Sequence, residues 1–387
     1  MKSVLLINHA PNPRMQKRAK VLHELGEVHL VCLKRVDMDI WDIDSMFYDS
    51  NTVIEASVPS SEDVLKRLIA TGPFFKKALH AIRTICPDII YTENLDCLCV
   101  ARLARNCSRK PKILYEVADI REVLLVKNSH LIGKLKQSLI KTVERKVISI
   151  VDCLVVTSER FYTDYYESIM PNVKVIFAPN APSLQQFESY KEAKHKDFVV
   201  GYIGAIKYLD QLKLLIDSAD SAGVSVMIAG AGISDSSTEE IAEYAKHKNV
   251  KVLGKYDYSK DIIELYESVD CVYAVYDADN PNVRIALPNK LYEAILCSKP
   301  IIVARGTYLS ELVEKWGIGV SVSHSSANEL RDVFIELKAD FEGSRKRQDD
   351  FKRACMALKE QASWLDWEDD LIKFCLSTTN ESFIESN

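Results

Sequence analysis

The sequence predicts an α/β protein of two Rossmann-like, doubly wound parallel-sheet domains. Three observations lead there. Short β-branched runs alternate with amphipathic helical patterns along the chain. The alternation slackens once, at Pro179-Asn180-Ala181-Pro182, and then resumes. The length, 387 residues, suits two domains of ordinary size, and 47% hydrophobic with 27% charged residues is the balance of a globular chain.

In the first half, strands are expected at 4–7, 28–33, 52–56, 88–92, 112–117, 152–157 and 173–177. Amphipathic helices at 16–25, 96–107 and 131–148 fall between them. The polar stretch 185–196 has no clean periodicity and reads as a linker. A second series of strands follows at 198–204, 224–229, 250–253, 271–275, 300–304 and 319–322, and the last forty residues read as helical. The predicted organisation is a first domain over 1–182, a linker over 183–196 and a second domain over 197–345. C-terminal helices over 346–387 then cross back to the first domain. Sheets of this kind bind ligands outside the carboxyl ends of their strands, so a cleft between two facing halves is the expected site.

Composition narrows the function. The ten cysteines are scattered, and Cys97 and Cys99 have no second pair at zinc-site spacing, so reduced core thiols in a reducing cytosol are expected. The apolar runs are strand-sized, and the opening Val4-Leu5-Leu6-Ile7 run is too short for a signal peptide, so export is not expected. Net charge is −5, unevenly placed: residues 64–146 carry 17 Lys and Arg against 7 Asp and Glu. That basic region suits an anionic membrane surface or a phosphate-bearing acceptor. Nucleic acid is not expected, because no binding module accompanies the charge.

Four constellations carry chemistry. Gly201-Tyr202-Ile203-Gly204 ends a strand and feeds a helix, where glycine lets the backbone approach a phosphate and Lys207 stands close by. Pro288-Asn289 opens a second helix start. Its free amides suit a diphosphate, Lys290 adds a charge, and Glu293 can accept two hydroxyls such as a ribose diol. Arg284 is a further cation nearby. Tyr115-Glu116-Val117-Ala118-Asp119 ends a first-half strand with carboxylates. The Asp-x-Asp pairs at Asp37/Asp39, Asp42/Asp44 and Asp277/Asp279 are read as chance repeats, because spacing alone does not make oxygen ligands converge. No metal and no cofactor are expected.

The order of these motifs resembles glycosyltransferases of the GT-B fold, most closely the retaining family 4. Gly204 with its following helix, Met227-Ile228-Ala229-Gly230-Ala231-Gly232, Val250-Lys251-Val252-Leu253-Gly254 and the helix 263–270 match the family's second domain in order. So do Leu287-Pro288-Asn289-Lys290-Leu291-Tyr292-Glu293-Ala294 and Ser298-Lys299-Pro300-Ile301-Ile302. Pro87-Asp88-Ile89-Ile90-Tyr91-Thr92-Glu93-Asn94, the Tyr115–Asp119 loop and Phe177-Ala178-Pro179-Asn180-Ala181 match its first domain more loosely. Three positions depart from the family pattern: Ile285 replaces the first of two paired glutamates, Ala205 an arginine and Ala118 a histidine.

The resemblance implies transfer of a sugar, with retention, from a nucleotide-diphosphate sugar to a glycan or polyprenyl-diphosphate-linked acceptor. The setting it implies is bacterial capsule, O-antigen or exopolysaccharide synthesis, in the cytoplasm or on the inner face of the plasma membrane. Asp119, Lys207 and Lys290 are then the catalytic candidates, and Gly204, Gly230, Arg284, Pro288, Asn289 and Glu293 hold the donor. Arg14, Glu93 and Asn94 lie on the acceptor side. Removing Glu293 is expected to leave folding almost unchanged, since a first-turn acid is worth ~0.3–1 kcal/mol. A nucleotide-sugar 2-epimerase of the same fold and a non-catalytic nucleotide-sugar-binding subunit are the alternatives.

Overall fold

The computed structural model describes residues 1–36, 43, 45–57, 64–105, 110–126, 131–193, 195–232 and 235–377. The carboxylates of the Asp37/Asp39 and Asp42/Asp44 pairs lie outside them. The chain divides into two units, Met1–Pro179 with the stretch from Trp364, and Asn180–Ser363.

The first unit holds β1 (Lys2–Ile7), β2 (Glu27–Arg35), β3 (Ser50–Ala56), β4 (Ile89–Glu93), β5 (Lys112–Val117), β6 (Cys153–Val156) and β7 (Lys174–Phe177). They form one parallel sheet in the order β3-β2-β1-β4-β5-β6-β7. Val4-Leu5-Leu6-Ile7 is fully buried, as a strand covered on both faces must be. Four helices of eight residues or more follow strands here: α1 (Pro13–His23), α2 (Val64–Ile85), α3 (Leu95–Ala104) and α4 (Leu131–Ile148). α1 starts where it does because Asn12 accepts from the Met15 amide and Pro13 needs no amide partner. The helix Trp367–Leu376 completes this unit's core with Trp367, Leu371 and Cys375. Lys112 Nζ donates to the Phe374 and Cys375 carbonyls at 2.8 and 3.2 Å, placing a cation at that helix's negative end.

The second unit holds β8 (Val199–Ile203), β9 (Ser225–Ala229), β10 (Val250–Gly254), β11 (Cys271–Ala274), β12 (Ile301–Ala304) and β13 (Gly319–Val322), all parallel, in the order β10-β9-β8-β11-β12-β13. Its longer helices are α5 (Leu209–Ala222), α6 (Asp235–Tyr244), α7 (Tyr258–Glu267), α8 (Asn289–Leu296), α9 (Tyr308–Trp316), α10 (Ala327–Glu342) and α11 (Lys346–Gln361). Of the C-terminal stretch 346–387, α11 therefore lies in the second unit and Trp367–Leu376 in the first. The stretch expected as a tether is packed on the second unit: Phe187 is buried against the Tyr266 ring, and His195 bonds Asp270 at 3.1 Å.

Each sheet reverses its strand order once, between β1 and β4 and between β8 and β11. Those reversals leave crevices at the strands' carboxyl ends, and the candidate residues gather there.

Candidate functional site

In the second unit the site is built on two glycines. Gly204 follows β8 at φ +146° and Gly230 follows β9 at φ +150°, backbone that a side chain rarely adopts. A Cβ on Gly230 would collide with the Gly204 carbonyl oxygen, and one on Gly204 would stand 2.7 Å from Lys290 Nζ. The two strand ends, tied by Gly204 N–H to Ala229 O at 2.8 Å, can thus lie edge to edge because Gly230 lacks a side chain, and the missing side chain of Gly204 leaves room for Lys290.

Lys290 enters the space this leaves. Pro288 caps α8 in an extended conformation, Asn289 is its first residue, and Lys290 is 7% exposed. Its ammonium donates to the Tyr276 hydroxyl at 3.0 Å and lies 4.3 Å from the centre of the Tyr202 ring. Burial pushes the Tyr202 phenol up to about 12 against the opposing pull of Lys290. The phenol therefore stays neutral and its ring serves as a cation platform. Leu291 N–H bonds the Pro288 carbonyl at 3.1 Å, while the amides of Asn289 and Lys290 precede any helical acceptor, so a fixed cation lies beside a positive helix end.

Glu293, one turn further along α8, is 2% exposed. Its two oxygens accept from Tyr258 and Tyr266, each at 2.7 Å. Burial, and then the Glu293 charge, push both phenols well above their ordinary value, so both hydroxyls donate. Glu293 is more than a first-turn acid: its side chain reaches into a tyrosine pair on α7. Lys207 and Arg284 are exposed. Lys207 lies over the Tyr208 ring, 5.4 Å from its centre, and Arg284 donates to the Ala278 carbonyl at 2.6 Å. Tyr208 packs on Tyr276 at 5.4 Å, so an aromatic pair lies between Lys207 and Lys290.

In the first unit Arg14, Glu93 and Asn94 meet. Arg14 Nη2 bonds Glu93, and Asn94 Nδ2 lies 3.3 Å from Glu93 Oε1 and 3.0 Å from Asn8 Oδ1 across the β1/β4 reversal. Asn94 sits at φ +64°, a strained conformation of the kind that gathers at functional sites. His9, which sequence reading missed, bonds Glu93 through Nε2. Below them Glu116 is fully buried. It accepts from Tyr91 and from Arg18 Nε at 3.1 Å, and Arg14 Nε stands 3.0 Å from its Oε1 as an ion pair without hydrogen-bond geometry. Burial raises the Glu116 carboxyl, but Arg18, Arg14 and the Tyr91 bond outweigh it and hold it below its ordinary value. Burial alone would lower the Arg14 guanidinium; Glu116 and Glu93 raise it instead. Arg18 is closed off by the Trp367 ring, 3.9 Å away. Asp119 is exposed in the loop after β5 and adds to the field on Arg14.

The Asp277/Asp279 pair has a third neighbour: among the described residues Asp277, Asp279 and His324 each bring a ligand atom within 4.8 Å of the others. Asp277 follows the buried strand β11, and its Oδ1 stands 3.4 Å from His324 Nδ1. Sequence spacing could not reveal a histidine 45 residues beyond Asp279. The missed tyrosines did leave a signal, because nine of the 17 tyrosines lie between Tyr202 and Tyr292.

The unit that carries the glycine turns, Lys290 and Glu293 also carries a family likeness. Residues 185–354 match the family of glycosyl transferases, group 1. The match covers most of the second unit and none of the first. Comparison with functionally described proteins finds no match at the level of sequence. Solved structures resemble nearly the whole chain. A sucrose-phosphate synthase from Thermosynechococcus elongatus aligns at TM-score 0.69 with 15% identity, covering 97% of this chain and 99% of that one. Anabaena Alr3699/HepE in complex with UDP and glucose aligns at TM-score 0.69 with 16% identity and the same coverage. WaaG, a glycosyltransferase involved in lipopolysaccharide biosynthesis, aligns at 0.68 with 12% identity over 98% of this chain and 100% of its own. At these identities the likeness is one of fold, and the fold is GT-B: two parallel-sheet α/β units, as the sequence predicted.

Proposed function

We propose that the chain transfers a sugar from a nucleotide-diphosphate sugar to a glycan or polyprenyl-diphosphate-linked acceptor, with retention, in the assembly of a bacterial surface polysaccharide. The observation that carries the reading is Lys290 on the first turn of α8, admitted by the Gly204 turn and seated among tyrosines, with Glu293 one turn on. The leaving group of such a reaction is a nucleoside diphosphate whose negative charge grows as the glycosidic bond breaks. A fixed ammonium and unpaired helix amides stabilise that charge more in the transition state than in the ground state. Gly204, Gly230, Pro288 and Asn289 let the diphosphate approach the backbone. Glu293 takes the ribose diol, and Lys207 and Arg284 supply outer positive charge. On the acceptor side, Asp119 orients the reacting hydroxyl, while Arg14, Glu93 and Asn94, joined by His9, bind its polar groups.

Two features support the family reading: the match over 185–354, and neighbours of the same fold described with UDP, or with UDP and glucose. The basic region 64–146 supports an acceptor carried at an anionic membrane surface and a cytoplasmic protein that docks there. No described helix is long and apolar enough to cross a membrane. The test is a panel of nucleotide sugars read by nucleotide release, with and without a lipid extract. Acceptor-dependent release is the expected result. An isomerised sugar without acceptor would indicate an epimerase, and binding without turnover a non-catalytic subunit.

A further inference from the structure

We propose that Tyr258 holds the place on the Glu293 carboxylate that a ribose hydroxyl would take, and that it sets nucleotide affinity by competing for that place while Tyr266 fixes the carboxylate's orientation. The inference rests on the donor-site reading of Glu293 given above. Its basis is an asymmetry between the two tyrosines. Tyr266 is fully buried in α7, packed edge-on against Phe187, and donates to Glu293 Oε2 at 2.7 Å. It has nowhere to go. Tyr258 is the first residue of α7, half-buried, next to the Asp257 cap, and donates to Oε1 at the same distance.

A carboxylate has about four lone-pair sites, so two tyrosine hydroxyls do not exhaust it. Access decides the matter instead. Glu293 is 2% exposed, its Oε2 partner Tyr266 is fully buried, and its Oε1 partner Tyr258 is only half-buried. A diol that is to reach the carboxylate must displace the Tyr258 hydroxyl, exchanging one hydrogen bond to the charge for another. The Tyr258 bond is then subtracted from the binding free energy. The phenol stays protonated, because burial and then the Glu293 charge raise it far above its ordinary value, so the competition persists across the neutral range.

Removing only the hydroxyl separates the two roles. Calorimetric titration with UDP, ADP and GDP identifies the nucleotide that wild type binds, and Tyr258→Phe is expected to bind it about threefold to tenfold tighter. Tyr266→Phe is expected to bind it more weakly by a similar factor, since a free carboxylate must be ordered by the ligand. For the matching 2′,3′-dideoxynucleotide, which offers no diol, the Tyr258→Phe gain should vanish. Unchanged or weaker binding of the ribonucleotide by a folded Tyr258→Phe overturns the inference, as does an equal gain with the dideoxy compound. If wild type binds none of the three nucleotides, the donor-site reading itself falls and takes this inference with it.

Discussion

Glu293 shows how far one side chain departs from its sequence context. Read as a first-turn acid it should be nearly dispensable for folding, but its carboxylate is the acceptor of two tyrosine hydroxyls, one fully buried. Glu293→Ala strands the Tyr266 hydroxyl in the core at a cost of about 1–3 kcal/mol. At about 2–4 °C per kcal/mol for a unit of this size, thermal melts should show a clear loss. Affinity for the nucleoside diphosphate should fall as well, roughly tenfold to a few hundredfold. Glu293→Ala that keeps wild-type affinity would remove the best-supported part of the donor site. Glu116 makes the matching statement for the first unit. Its carboxyl lies below the ordinary value of 4.5, so its stabilisation is fully present above that pH and fades as pH falls through the lowered folded value. Glu116→Gln leaves Arg18 and Arg14 buried without their shared counter-charge, a loss of about 3–5 kcal/mol at neutral pH. Melts of the two proteins should converge as pH is lowered below 4.5. A gap that widens with acid would mean the network is not ionised as drawn.

At the scale of elements, α4 is where the structure decides between two readings of one pattern. The repeat Leu135, Leu139, Val143, Val147 describes a core helix equally well as a surface helix. Leu135 and Leu139 are in fact 64% and 66% exposed, and Val143 is exposed too. Among its described side chains Glu144, Val147 and Ile148 are buried, and Glu144 accepts from Tyr165 and Tyr166 at 2.6 and 3.1 Å. Lys134, Arg145 and Lys146 are exposed beside the stripe, Lys141 is half-buried, and Leu103 on the adjoining α3 adds a further exposed leucine. In the same basic region Phe74 is in the core, while Lys76 and Lys77 are exposed. Periodicity gave the helix its span but not its face, because the burial of a stripe depends on what packs against it. Each cation near an anionic surface is worth ~1 kcal/mol, so replacing Lys134, Lys141, Arg145 and Lys146 by glutamine should release the protein from phosphatidylserine vesicles at low salt. Wild type that ignores such vesicles would end this reading.

For the molecule as a whole, all thirteen described strands were legible, since β-branched runs between helical patterns need little besides local chemistry to declare themselves. The candidate site was legible where it follows the backbone: Gly204, Gly230 and the start of α8 announce themselves as turns, and Lys290 and Glu293 follow from that helix start. The side chains that complete it come from residues far apart in sequence. Glu293 meets Tyr258 and Tyr266, Lys290 meets Tyr276, and Asp277 meets His324, contacts that the order of strands creates and no spacing rule encodes. The last of these bears on how the proposed reaction meets its charge. In the proposed donor site Lys290 and the start of α8 meet the diphosphate, so bond cleavage is expected to proceed without a divalent ion. The Asp277, Asp279 and His324 cluster leans on the short helix Pro281–Ile285 that carries Arg284, with Arg284 Nη2 3.7 Å from Asp279 Oδ1. Turnover measured after dialysis against EDTA should therefore match the untreated rate at saturating donor. Any effect of added manganese should appear in the donor KM, through Arg284, and vanish in Asp277→Asn. If EDTA abolishes turnover and manganese restores it, Lys290 is not sufficient for the leaving group, and the metal-independent mechanism is wrong.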